Sequence, residues 1–154
     1  MSSTVGGLSL LFRSNAARCA VGLDEVVEVT RPLPVTPVTE DGAAFVDGVC
    51  VVHGVPVPVV NVGSLLGGER SRPTRFVVVR DGGRQVALAV DEVLGIREVP
   101  ADSLHDLSPL LAAAKSELVA TLGVVDAEPL LFLRDVRLVP DSVWRALPKE
   151  WSSQ

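Results

Sequence analysis

Two histidines, two cysteines and three small groups of acids are the side chains in this sequence whose types could do chemistry. His53 and His105 stand 52 residues apart, and neither falls in a recognisable ligand spacing, so no metal motif emerges. Cys50 and His53 have the types of a nucleophile and its base, but nothing in the sequence orients the pair. His53 lies between two apolar runs and reads first as a turn histidine, exposed or hydrogen-bonded. Asp24-Glu25, Glu28 and Asp91-Glu92 have the chemistry of general acids, yet their places at element ends read as solvated charges. Gly67-Gly68 and Gly82-Gly83 lack the Lys-Ser/Thr or the strand–helix context of a phosphate-cradling loop. The expectation is a protein that is not an enzyme, with no catalytic residues, no metal and no cofactor. A small β-barrel enzyme or ligand-binding module, working in a crevice between two halves, is the remote alternative.

Composition points the same way. The chain has 154 residues, 47% hydrophobic and only 4% aromatic, and valine supplies much of the apolar content. β-Branched side chains suit a pleated, half-buried surface better than a helix. A formal charge of -5 and the lack of a Lys/Arg stripe argue against nucleic acid or an anionic membrane as partner. Cys19 and Cys50 sit in apolar runs and read as small buried hydrophobes of a reducing compartment, with no spaced framework that asks for a disulfide. Met1 to Gly7 carries no charge ahead of an apolar run, unlike a signal peptide, and no stretch reaches membrane-spanning length. A cytoplasmic protein is expected.

Short β-rich runs supply the frame. They are Leu8–Phe12, Arg18–Leu23, Gly48–Val52, Val55–Val62, Arg75–Arg80, Arg84–Val90, Leu118–Val125 and Leu130–Leu133. Asp81-Gly82-Gly83 predicts a hairpin turn, because glycine supplies positive φ, and Ser14-Asn15 predicts another. Helix is expected at Pro109–Glu117, at Asp141 through Trp144 to Leu147 with Asp141 as N-cap, and as a short turn at Asp24–Val29.

The chain also resembles itself. Displaced by 67 residues, Leu10–Val29 falls on Val77–Ile96, with Arg13 on Arg80, Ala20 on Ala87 and Asp24-Glu25-Val26 on Asp91-Glu92-Val93. Displaced by 73, Phe45–Leu66 falls on Leu118–Val139, with Val51-Val52 on Val124-Val125 and Pro56 on Pro129. This predicts two related β-subdomains, about 8–66 and 74–139, joined at Gly67-Gly68, with exchange of strands between them left open. Residues 141–154 form a C-terminal helix and tail.

The stretch from Phe45 through Cys50, His53-Gly54 and Val55-Pro56-Val57 to Val62 resembles the signature of the CheW-like coupling proteins. Val26-Val27-Glu28-Val29 is similar to that family's Val-x-Glu-apolar segment, and Val90-Asp91-Glu92-Val93 to its Val-Asp-x-Val. Leu118–Leu133 resembles its closing strands, so the resemblance spans roughly residues 8–140. It implies an all-β fold of two small five-stranded SH3-like barrels packed on a shared hydrophobic seam. It also implies an adaptor that couples the cytoplasmic tip of a chemoreceptor to the regulatory domain of a CheA-type histidine kinase. By this resemblance Gly48, His53 and Gly54 face the kinase, and Val26 and Glu28 bind a partner, the receptor included. Three places depart from the family pattern. His53 stands where an arginine is usual, Asn61-Val62-Gly63 where Asp-Leu-Arg is usual, and Thr121 where glycine is common. Losing the arginine removes a permanent charge and a bidentate donor. The departures point to an alternative, a divergent module that binds one of the two partners or serves a specialised system such as surface motility.

Overall fold

A computed structural model describes residues 7–37, 45–70, 72–99, 104–106, 119–125, 128–135, 139 and 141–147. Eleven strands run through them: β1 Gly7–Ser14, β2 Ala17–Gly22, β3 Val26–Thr30, β4 Val46–Val52, β5 Val55–Asn61, β6 Arg75–Asp81, β7 Arg84–Val90, β8 Glu92–Val99, β9 Leu104–Asp106, β10 Val119–Val125 and β11 Glu128–Asp135. Two short helices accompany them, α1 Val62–Leu65 and α2 Asp141–Ala146. Each expected strand is present. The helix expected at Pro109–Glu117 lies outside the described residues.

The helical turn expected over Asp24–Val29 is corrected: only Leu23–Glu25 coils, as a single 3-10 turn, and β3 begins at Val26. The acidic pair favours a helical start, but Val26, Val27 and Val29 are stiff at χ1, and Val26 and Val29 pair with β6 instead. Strands β8 and β9 and helix α1 were not among the expected elements.

The strands form two sheets. One has the order β8-β1-β2-β11-β10-β9, the other β3-β6-β7-β5-β4. Hairpin β1–β2 therefore lies beside β8 and β11, while hairpin β6–β7 lies beside β3 and β5. The internal repeat is reproduced down to the register. Phe12↔Cys19 in β1–β2 becomes Val79↔Val86 in β6–β7, and Leu10↔Ile96 becomes Val77↔Val29 when 67 is added or subtracted. The parallel pair Phe132↔Ala20 answers Val59↔Ala87. Even the bulges correspond: Leu94 is the extra residue between Phe12 and Leu11, as Val27 is between Val79 and Val78.

Three apolar cores follow from this arrangement. Successive side chains of a strand point to opposite faces, so a strand packed on both faces must be apolar throughout. On β6, Phe76 and Val78 point into one barrel with Cys50, Val57 and Ala87. Val77 and Val79 point the other way, into a seam shared with Leu10, Phe12 and Val21 of the opposite sheet. Leu11, Ala20, Leu130 and Phe132 fill the second barrel. Near-complete burial of each valine contributes roughly 1.5–3 kcal/mol, which accounts for the valine-rich composition. Helix α2 docks on the seam through Val143, which is buried, and Trp144, which is half-buried.

The edges are treated differently. After β3 the chain returns along β4, where Thr36 and Val49 exchange both backbone hydrogen bonds at 2.8 and 2.9 Å. That pairing covers the β4 edge, and Leu33 and Val35 pack beneath it. The seam, by contrast, reaches solvent at Val29, which is opposite Val77, and at Ile96, which is opposite Leu10; both are exposed, as is Leu8 diagonally across from Ile96.

Candidate functional site

The tip of the β4–β5 hairpin is a two-residue turn, His53-Gly54, in which both residues have positive φ, 50° and 81°. Positive φ at both central residues is the turn whose twist matches that of paired strands. Histidine is one of the side chains that tolerates this region, and glycine tolerates it freely. The turn thus lifts the imidazole away from the sheet, its side chain 77% exposed.

His53 is nonetheless not without a partner. Its Nε2 lies 2.8 Å from Oε1 of Glu28. Glu28 is on β3, one edge of the five-stranded sheet, while β4 is the other edge. The contact therefore spans the two edges and marks where the curled sheet closes on itself. Glu28 opposes Val78, a residue of the barrel interior, so its carboxylate stands over that core. The second barrel has no such pair, because the position equivalent to Glu28 is Gly95.

Of the five residues singled out from sequence, the structure brings Glu28, His53 and Gly54 together. Val26, opposite Val79, is half-buried and packs into the seam. Gly48 lies further down β4, and the close approach it permits is intramolecular. A Cβ built there would fall 2.2 Å from the Thr36 carbonyl oxygen and 2.9 Å from Pro37 Cα. Gly54 faces open space.

The departure at Asn61 has a local explanation that sequence reasoning missed. Asn61 is wholly buried and caps α1, its Oδ1 accepting from the Ser64 N–H at 3.1 Å. Its Nδ2 donates to Oδ2 of Asp47 at 3.4 Å, and Asp47 also pairs with Arg70. An amide can serve both neighbours, whereas a carboxylate could serve only the first. An asparagine directly ahead of a helical turn is the signal that could have revealed it.

The pairing of Cys50 with His53 is not formed as nucleophile and base. Cys50 is buried and desolvation pushes its thiol up to about 11, while Nε2 of His53 is engaged by Glu28. Burial pushes Cys19 further, to about 12. The thiolate is the reactive form, so neither cysteine should react with a soluble thiol reagent at neutral pH. We expect labelling only in denaturant, with both thiols appearing together on unfolding; prompt labelling of the native protein would contradict the buried placement. Among the described residues no three His, Cys, Asp or Glu side chains converge to hold a metal, and no helix is long and apolar enough to cross a membrane.

The family model of the CheW-like domain matches residues 9–142, a span that takes in both sheets and the start of α2. The chain belongs to the CheW-like family. No curated protein matches it. A similar solved structure is that of the scaffolding protein TtCheW from Thermoanaerobacter tengcongensis, with a TM-score of 0.72 and 17% identity over 84% of this chain and 89% of that one. At that identity the likeness is one of fold. In this CheW-like chain the β4–β5 turn carries His53, and its imidazole is held by Glu28.

Proposed function

We propose that this CheW-like protein is a non-enzymatic, cytoplasmic adaptor of a chemosensory system that couples a chemoreceptor to a CheA-type histidine kinase. What supports the reading most is the match of the CheW-like domain to nearly the whole chain. In this proposal His53 and Gly54 form the kinase-facing patch and meet the kinase regulatory domain, while Gly48, buried under the Thr36–Pro37 backbone, supports that patch from within β4. Val26 and Glu28 belong to the partner-binding strand that serves the receptor. The apolar surface that leaves the seam at Val29, Ile96 and Leu8 suits the apolar face of a receptor helix.

The His53–Glu28 contact gives the two patches a common element. Whatever draws Glu28 away frees the turn, and whatever grips the turn restrains β3. Arginine at this position would offer Glu28 two parallel N–H donors, where the imidazole offers one nitrogen. A module that engages only one of its two partners is the second reading, and the change from arginine to His53 is what favours it.

Calorimetric titration of the protein with the cognate kinase regulatory domain, and separately with the receptor tip, tests the reading. The wild type should bind the kinase domain at micromolar or tighter Kd. Glu28→Gln, which weakens the hold on the turn, should loosen it by about tenfold, or ~1.4 kcal/mol. His53→Arg should bind at least as tightly as the wild type. Binding by His53→Arg alone would establish the one-partner module. Failure of all three proteins to bind either partner would sink the adaptor reading.

A further inference from the structure

A cleft of about 670 Å³ opens between the β4–β5 hairpin, the β6–β7 tip and helix α2. Val55 and Pro56 form one wall, and Trp144 and Leu147 the other. Two guanidinium groups guard it. Arg84 lies over the Trp144 ring, 4.0 Å from its centroid, and Arg145 is the exposed neighbour of that tryptophan on α2. Neither arginine forms an ion pair with a described residue, and among the described residues no carboxylate lines the cleft. In a chain with 19 acids and 14 bases, this is a local inversion of charge around an apolar floor.

The helix that makes one wall is fixed rather than loosely laid on. Val143 is buried in the seam, which sets the rotation of α2 and so holds Trp144 and Leu147 toward the cleft. The stacking of Arg84 on the indole also limits its motion, so part of the ordering that binding requires is already present. The cleft lies within the size range of preformed binding sites.

We propose that this cleft receives an acidic, apolar segment of a partner protein. An aliphatic or aromatic side chain enters against Trp144 and Pro56, and flanking carboxylates meet Arg84 and Arg145. Charge complementarity selects this occupant, because a basic segment would be repelled by both guanidinium groups and a purely apolar one would leave them unmatched. The cleft is assigned to neither the kinase nor the receptor, and the proposal goes beyond the adaptor role and does not depend on it.

The test uses the full chain with Trp151→Phe, so that Trp144 supplies the one indole N–H signal in heteronuclear NMR. The probe is an acetylated, amidated amphipathic helix of leucine and glutamate, compared with its lysine-for-glutamate counterpart and with octanoate. The glutamate peptide should shift the Trp144 signal saturably, and the lysine peptide should bind about tenfold more weakly or not at all. The double variant Arg84→Glu/Arg145→Glu should invert that order, and the milder Arg84→Gln/Arg145→Gln should abolish the difference between the peptides. Dispersion of the remaining amide signals reports that the variants keep the fold. Equal response to both peptides, no shift at Trp144, or a preference untouched by either double variant would overturn the proposal. So would octanoate binding as tightly as the glutamate peptide, which would make the cleft a small-molecule site.

Discussion

Gly48→Ala is expected to cost about 3 kcal/mol or more of folding stability, the largest effect of any single methyl addition to the described glycines. Gly48 has φ 151°, a region that side chains rarely adopt. The added Cβ would sit 2.2 Å from the oxygen and 2.8 Å from the carbon of the Thr36 carbonyl, and 2.9 Å from Pro37 Cα. All three are backbone atoms, so no side-chain rotation relieves the clash. Relief requires the 31–37 segment to move off β4, which breaks the paired hydrogen bonds between Thr36 and Val49. Leu33 and Val35 would then leave the barrel core.

Gly54→Ala is the matched control. Its φ of 81° is also unfavourable for alanine, but open space surrounds it, so only the backbone term of about 1–2 kcal/mol remains. Urea unfolding of both variants measures the difference, and limited proteolysis shows whether the 31–37 segment has opened. Equal costs for the two would refute the close-packed account of Gly48. The comparison also guards the binding experiments, because a Gly48 variant that loses a partner has lost a piece of its barrel first.

Asn61→Asp should destabilise the fold by about 2 kcal/mol at neutral pH. The substitution keeps the oxygen that caps α1 at Ser64 and replaces the amide nitrogen that faces Asp47 by a second anionic oxygen. The new carboxylate is buried and beside another, and both effects disfavour its ionised form. Its folded pKa is thereby raised above the unfolded value, so the penalty is full at neutral pH and shrinks as the pH falls and the pair takes up a proton. Arg70, paired with Asp47, offsets a part. Asn61→Ala instead loses the cap and the amide, for about 1–2 kcal/mol with little dependence on pH. Unfolding curves at pH 7 and near pH 4 separate the two: if the aspartate variant loses as much in acid as at neutral pH, the proximity to Asp47 is not the cause.

The parts of the fold that were legible in sequence are those buried on both faces. β5, β6 and β7 are near-continuous apolar runs because one face fills a barrel and the other the seam, and such runs stand out at once. The edge strands β3 and β8 did not, although the β4 edge was legible as Gly48–Val52. β3 is preceded by the acidic turn Leu23–Glu25, and β8 mixes Glu92, Gly95, Arg97 and Glu98 among its apolar residues. The two are counterparts in the repeat, so the same half-exposed character hid both. β9 has three residues and α1 four, too short for any periodicity to register.

The site was legible in its members and not in its geometry. Family resemblance drew attention to His53 and Glu28 separately, for different partners. That they touch depends on sheet closure, which brings opposite edges together across 25 residues of sequence. In sequence Asn61 stands out only as a departure from the family's Asp-Leu-Arg, because its role is set by Asp47 and Ser64, and the former lies on another strand.

The pairing of β2 with β11 bears on how the chain is made. Cys19 to Val21 are among the first described residues to be synthesised, and their parallel partners Leu131 to Leu133 are among the last. Loop closure of that span must be completed before the contact contributes anything. Hairpin β6–β7, by contrast, meets β3 and β5 as soon as Val90 has emerged. During translation one barrel can therefore close while the other waits, with the apolar faces of β1 and β2 uncovered. In those seconds the nascent chain is a half-built molecule whose oldest strands depend on its newest.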